Sequence, residues 1–415
     1  MGRSDRRGAD LMRALAPLAL ALLLATPALA DPITIKPILD ARLRYERVDQ
    51  EPLARDADAV TARLRAGFEA RTGAFAFLAE AEATLAINNH FNSGVNGRTA
   101  FPIVPDPQTV ELNRLQLQYR GLPKTIVTVG RQRINLDDQR FVGSVGWRDN
   151  EQTFDAARVE WSGVKNLKAD VTYSWSDRTI WGIDGGNRFG PARYQAIGGD
   201  NVFVNLALKT KVGTLTGFTY LIDQDERLVL ANSSATYGGR FTGSTAISPV
   251  LKLNYMASYA HQVDYARNPN RYAANYYAGE LSLGIKAFTI AGGTEILGAD
   301  KGFALTSFQT PLATLHKFNG WADKFLVTPP DGLTDIYGSL GYGWKKPGPF
   351  DAITLAAVYH RFSSDRNDRR YGDELDLSAS AKLHHTTFLL KYANYQAHGF
   401  ATDTSKIWAS IEWAI

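Results

Sequence analysis

Leu167-Lys168-Ala169-Asp170-Val171-Thr172-Tyr173-Ser174-Trp175-Ser176 alternates apolar and polar side chains through its whole length. Leu167, Val171, Tyr173 and Trp175 fall on one parity, and Lys168, Asp170, Thr172 and Ser174 on the other. A period of two gives a strand one apolar and one polar face. The pattern spreads in both directions. Leu64, Phe68 and Ala70 alternate with Arg63, Arg65, Glu69 and Arg71, and Phe75, Phe77, Leu85 and Ile87 alternate with Glu80, Glu82 and Asn88. Val202 to Leu208, Leu251 to Tyr259, Leu281 to Ile285, Leu375 to Leu383 and Ile407 to Ile415 repeat it. No amphipathic helix stands out after Asp31. About eighteen strands are expected, at 34–48, 59–71, 74–88, 109–120, 124–134, 153–161, 167–176, 200–210, 213–222, 234–243, 249–262, 275–286, 287–297, 333–346, 350–362, 373–383, 385–396 and 406–415. Many reach the 10 or so residues that cross a bilayer core at a tilt.

The connections alternate short and long. Thr72-Gly73, Gly121-Leu122-Pro123, Lys211-Val212 and Lys345 to Pro349 are tight. Asn89 to Gln108, Asn135 to Gln152, Asp223 to Ser233 and Gly298 to Gly332 are long. Outer-membrane barrels have short periplasmic turns and long outer loops. A soluble sandwich would also alternate along its strands. Aromatic residues near the ends of the apolar faces favour the membrane: Tyr45, Tyr119, Trp161, Trp175, Tyr259, Tyr277, Trp344, Tyr359 and Trp413 suit two interfacial girdles. The last strand runs apolar to Ile415, where an aromatic residue is the usual ending. The expected class is therefore all-β, a transmembrane antiparallel barrel.

Residues 1–30 read as a cleaved signal peptide. Arg3, Arg6, Arg7 and Arg13 form a basic start, Leu15 to Leu24 is apolar but too short to span, and Ala28-Leu29-Ala30 offers a cleavage site. Met12 would also serve as a start, with Met12-Arg13 and the Leu/Ala run forming a complete signal. The barrel then occupies 31–415. The formal charge of +4 falls to about +2 without the leader, with basic and acidic residues mixed, so no nucleic-acid partner is indicated. Cysteine is absent, which removes disulfides, thiolate metal sites and a lipidated N-terminus. The seven histidines fall mostly in loops and turns, and no HExxH, nucleophile elbow, P-loop or dinucleotide fingerprint occurs. No enzyme and no cofactor are expected. Asp137-Asp138 could hold calcium, but Arg133 and Arg140 flank the pair and favour ion pairing.

The densest polar stretch runs from Gly130 to Asp155. Its segments Gly130-Arg131-Gln132, Gln139-Arg140-Phe141-Val142-Gly143, Gly146-Trp147 and Asn150 to Asp155 resemble the alginate export family of outer-membrane proteins. A second stretch, Thr310 to Asp323, resembles it too, and the resemblance runs from about Asp31 to the C-terminus. It implies an eighteen-stranded monomeric barrel whose arginine-rich constriction passes an anionic polysaccharide. The family's exporter has a long periplasmic turn near its C-terminus that helps plug the pore. The counterpart here, about Leu383 to Thr386, is short, so a general or small-acid channel stays open beside polymer export.

Candidate pore-lining, anion-binding residues are Arg42, Arg44, Arg63, Arg65, Arg114, Arg120, Arg131, Arg133, Arg140, Arg148 and Arg158. Guanidinium groups stay charged and match carboxylates with a fork of donors. The faces of Arg131 and Arg133 are ambiguous, because Val127 and Val129 share their parity. Glu46, Glu69, Glu80, Glu82 and Glu160 share these faces, so some arginines must pair internally. Segment 135–152 mixes Phe141, Val142, Val145 and Trp147 with charges and is expected to fold into the lumen. The function expected is a passive channel for anionic solutes, such as uronic-acid saccharides. A barrel enzyme acting at the rim and a plugged structural barrel are the rivals. Expected partners are outer-membrane lipid, an anionic saccharide or small acidic solute, and the barrel-assembly machinery.

Overall fold

The computed structural model describes residues 31–186 and 193–415. The expected leader, 1–30, lies outside the described residues. Eighteen strands occur in this order: β1 Thr34–Gln50, β2 Ala57–Thr72, β3 Phe75–Ala86, β4 Thr109–Tyr119, β5 Thr125–Gln132, β6 Thr153–Trp161, β7 Leu167–Arg178, β8 Ala196–Lys209, β9 Thr214–Ile222, β10 Ser234–Ser248, β11 Leu251–Asp264, β12 Ala273–Ile285, β13 Phe288–Leu297, β14 Leu333–Lys345, β15 Ala352–Ser363, β16 Arg370–Leu383, β17 Thr386–Ala397 and β18 Thr404–Ala414. Each pairs antiparallel with its sequence neighbours, and β1 pairs with β18 from Asp40↔Ala414 to Gln50↔Thr404. The sheet is therefore closed and has no free edge. Closure matters in lipid, where an unpaired backbone group finds no water.

Every expected strand has a counterpart. The connections sort onto two ends: 120–124, 162–166, 210–213 and 384–385 are short, whereas 87–108, 133–152 and 298–332 are long. By the usual orientation the short-turn end, which also holds both barrel termini, faces the periplasm.

The alternation becomes a physical division. Leu64 is 46% exposed and Leu206 48%, while Arg63 and Arg65 beside Leu64 are buried within the barrel. Leu253 pairs with Leu283 on the outer face. Phe68, Tyr173, Leu377 and Ile411 share that face. The nine girdle aromatics also lie outside. Tyr119, Trp161, Trp344 and Trp413 sit near the short turns, and Tyr45, Trp175, Tyr259, Tyr277 and Tyr359 toward the long loops. A charge at mid-bilayer depth costs roughly 2–4 kcal/mol. Leu206→Arg or Leu283→Arg should lower unfolding stability in lipid by that amount, whereas Lys168→Leu on the inner face should change it far less. Equal tolerance at the two kinds of site would contradict the face assignment.

Bulges set the exceptions. The register shifts between Glu80 and Ala81, opposite Arg114 and Leu112. The extra residue, Asn113, lets Asn113 and Arg114 both turn inward, and both bond Glu80. The outward-facing Leu115 lies opposite Arg131, so Arg131 points outward and pairs with Asp155 at 2.8 Å. This corrects the expectation for Arg131: it does not line the pore.

Candidate functional site: the constricted lumen and its mouth

Two long loops turn into the barrel and join. In the first inward loop, 133–152, Gly143 N–H donates to Leu312 O of the second, 298–332, at 2.9 Å. Gln152 Nε2 donates to Gly143 O and to Leu312 O. Apolar packing explains why the first loop turns inward. Ile134, Leu136, Val142 and Leu312 are buried. Phe141 packs its ring 5.1 Å from Phe218, 5.3 Å from Tyr276 and 6.0 Å from Phe308, centroid to centroid. A loop in water would leave those groups exposed, at about 25 cal/mol per Å² of apolar surface.

Charge holds the other side. Arg42 on β1 donates to Asp149 at 2.6 Å, and Thr61 on β2 donates to the other Asp149 oxygen at 2.5 Å. Burial alone would raise the Asp149 carboxyl. Arg42 and Arg44, with hydrogen bonds from Thr61 and Arg42, outweigh it and hold that carboxyl far below the usual carboxylate range. Arg44 donates to Trp147 O and pairs with Asp106 at 3.2 Å. Arg63 pairs with Asp40, and Arg65 with Glu82 and Glu151. Arg114 pairs with Glu80 at 2.6 Å, and Arg133 with Glu80 and Glu151. Arg140 reaches Glu295 on β13 at 2.6 Å and also bonds Thr310 and Asn319 of the second loop. Arg148 spans Glu46, Asp106 and Asp323. Arg158 pairs with Asp170.

Ten of the eleven candidate arginines thus have a carboxylate partner. Arg42, Arg44, Arg63, Arg65, Arg140 and Arg148 are also buried, with their guanidinium groups held by those carboxylates. As direct anion-binding groups these six are corrected: they brace the inward loop against the wall. Arg114, Arg133 and Arg158 keep part of the head open, Arg133 most at 30%. Asp138 pairs with Arg240, and Asp137 accepts from Asn205 at 2.8 Å, so this doublet is tied to the wall by partners other than the flanking Arg133 and Arg140.

The eleventh candidate, Arg120, has no carboxylate within 4.0 Å among the described residues. It stands at the short-turn end beside lysines that are not among the sequence candidates. The turns there carry Arg120, Lys124, Lys165, Lys211, Lys286 and Lys346, all exposed, against the single acid Asp351. Among the described residues none of these six cations forms a salt bridge. Just inside, Lys168 faces the lumen opposite Ala207. A cavity of about 530 Å³ runs inward from this collar, lined by Arg120, Lys124, Lys168, Glu160 and Asp170 and roofed by Leu136 of the first inward loop. A signal for the collar is present in the sequence, since the tight turns 120–124 and 210–213 are marked as breaks, but a lysine in a turn is ordinary punctuation until its neighbours are known.

The sequence model of the alginate export family matches residues 38–175, which include most of β1, β2–β6, most of β7 and the first inward loop. No curated protein matches the chain. Several solved structures share its fold. OpdK, an outer-membrane protein of Pseudomonas aeruginosa, is 12% identical with a TM-score of 0.67, over 92% of this chain and 98% of that one. OccAB4 of Acinetobacter baumannii gives 12% and 0.67 over the same shares. OccK11 (OpdR) of Pseudomonas aeruginosa gives 13% and 0.64, over 92% and 96%. The chain folds as the outer-membrane barrels of these structures do, and its residues 38–175 are similar to the alginate export family.

Proposed function

We propose that this barrel is a passive channel that favours anionic solutes, of the class of uronic-acid saccharides or small organic acids. The cationic collar carries the reading. Six exposed cations, none in a salt bridge among the described residues, ring the periplasmic mouth, where low-dielectric walls let their fields add. An anion drawn there meets Lys168 next, then the partly open heads of Arg158, Arg114 and Arg133. The buried arginines fix the loop that narrows the route. A water-filled lumen with charge of one sign at its entrance lowers the barrier for the opposite sign and needs no energy source. Residues 1–30 serve as the export leader in this account, and one chain makes one pore.

The two-residue turn His384-His385 leaves no plug from the β16–β17 side, which favours a small solute over a gated polymer. A structure of the neighbour OpdK was solved with vanillate, so an aromatic acid belongs in the solute panel beside acidic sugars. Liposome swelling tests the reading. At low salt glucuronate should enter faster than glucose, and the difference should shrink as salt is raised, because the Debye length falls from about 10 Å at 0.1 M to about 3 Å at 1 M. Replacing Lys124, Lys165, Lys211 and Lys286 by Glu should reverse the order without altering folding, since all four are exposed turn residues. Glucose entering at least as fast as glucuronate through the wild-type barrel at low salt would refute the anion preference.

A further inference from the structure

The two inward loops also meet the wall beside the Arg44 and Arg148 braces. Lys391 of β17 projects inward between two indoles, with Nζ 3.7 Å from the ring centre of Trp321 and 4.1 Å from that of Trp147. Trp408 of β18 lies behind, at 5.3 Å. The same Nζ lies 2.8 Å from His316 Nε2. The His316 ring stacks on Trp147 at 4.4 Å and 8°, and its Nδ1 lies 2.8 Å from Asp323 Oδ1. The other Asp323 oxygen meets Lys406 of β18 at 2.8 Å and Arg148 of the first loop at 3.0 Å. Both inward loops and two wall strands therefore share a single buried hub.

We propose that Lys391 is the positioning residue of the constriction, and that protonation of His316 releases the loops it holds. The partners assign the roles of the ring nitrogens. An ammonium only donates, so Nε2 must accept from it and Nδ1 must carry the hydrogen given to Asp323. His316 is neutral in the closed hub. A proton added to Nε2 removes the acceptor and sets two cations 2.8 Å apart in a buried site. Lys391 then loses its hydrogen bond, and its seat between Trp147 and Trp321 is one of the contacts that tie the loops together.

Charged groups face the hub from every element around it. Arg148, Lys406 and Arg44 bring positive charge from the first loop, β18 and β1, and Glu46 and Asp106 answer Arg148 and Arg44. Asp323 is the one acid bonded to the imidazole. On β16, Asp376 and Glu374 accept from the backbone N–H groups of Trp321 and Ala322. That second hold requires Gly320, whose φ is +83° and whose absent Cβ would sit 2.3 Å from a Glu374 oxygen. Burial, Lys391 and Arg148 push the His316 ring well below the ordinary histidine value, against the pull of Asp323. A released, solvated His316 binds its proton below about pH 6.5 while the closed hub excludes it, so closure is favoured above that pH and weakens as pH falls below it.

The proposal rests on the channel reading for one readout and is independent of it for another. The full barrel is studied in planar bilayers and by hydrogen exchange between pH 7.5 and 4.5. In wild type, conductance should rise on acidification. Protection factors over residues 315–323 should fall by up to about tenfold per pH unit below 6.5, the steepest slope one proton allows. His316→Gln keeps an acceptor and a donor without a titrating ring and should abolish both pH responses. Lys391→Met should give the acid-like state at every pH, and Lys391→Arg, which keeps charge and stacking, should restore the neutral-pH state. Heat-modifiable migration establishes that each variant is folded. Wild-type protection at 315–323 independent of pH, or Lys391→Met indistinguishable from wild type in both readouts, would overturn the hub. A folded wild-type barrel with no conductance would overturn the channel reading, and protection factors would still judge the hub.

Discussion

Replacing residues 136–146 by a short Gly-Ser bridge should raise single-channel conductance several-fold in a barrel that still folds. This segment carries Leu136, Phe141 and Val142, the apolar side of the first inward loop, and Arg140, its tie to Glu295. The bridge leaves Trp147 to Gln152 in place, so Asp149 still answers Arg42 and Glu151 still answers Arg65. The ion pairs of β1 and β2 with Asp149 and Glu151 remain, those of Glu295 and Arg240 with the loop are lost, and the loop's apolar bulk leaves the lumen. Lengthening or replacing a flexible loop has a small entropic effect, so the barrel should tolerate the change. Conductance equal to wild type in a folded variant would mean that the passage is narrowed elsewhere.

The second large effect concerns stability. Asp149→Leu should destabilise the barrel by about 3–5 kcal/mol, the usual result of removing one partner from a buried ion pair. Asp149 sits between β1 and β2 with a side-chain exposure of 1%, and its loss leaves Arg42 buried against Arg44 and Arg63. Replacing Arg42 by Met as well should recover much of the loss, because the uncompensated charge goes too. Reversible unfolding in detergent measures both. A single-variant effect within about 1 kcal/mol, the range of exposed pairs, would contradict the bracing role. The acid limit has the same origin. The Asp149 carboxyl is depressed in the fold, so its contribution is complete above the ordinary carboxylate value of about 3.9 and disappears as pH falls toward the folded value.

Strand number, order of short and long connections, and outward faces are readable because lipid forces them. A period of two with Leu64, Leu206 and Leu283 on one parity has a single solution in a bilayer. Local register is less legible. One extra residue at Asn113 flips the parity of the rest of β4, and nothing in Glu111-Leu112-Asn113-Arg114 announces it. The face of Arg131 depends on its pairing with Leu115 across a turn. The arginines stand out in the sequence, yet their role does not. Whether Arg42 or Arg148 is free depends on carboxylates far away in sequence, Asp149 for one and Asp106 and Asp323 for the other. Reversing Arg63 and Arg65 to Glu would therefore set new acids beside Asp40 and Glu82 and disturb folding before it reported on selectivity. The collar shows the opposite failure. Lys124, Lys165 and Lys211 are unremarkable one by one, and become a site only when closure brings eight short turns to one rim.

Reversal potential across a planar bilayer tests the central claim most directly. Purified wild-type barrel, inserted with a tenfold gradient of a potassium salt, should show discrete open steps and a potential of the sign that marks anion preference. The preference should decline when both solutions are concentrated, as screening shortens the reach of Arg120, Lys124, Lys165, Lys211, Lys286 and Lys346. A potential of the opposite sign at low salt, from a folded and conducting barrel, would contradict the account.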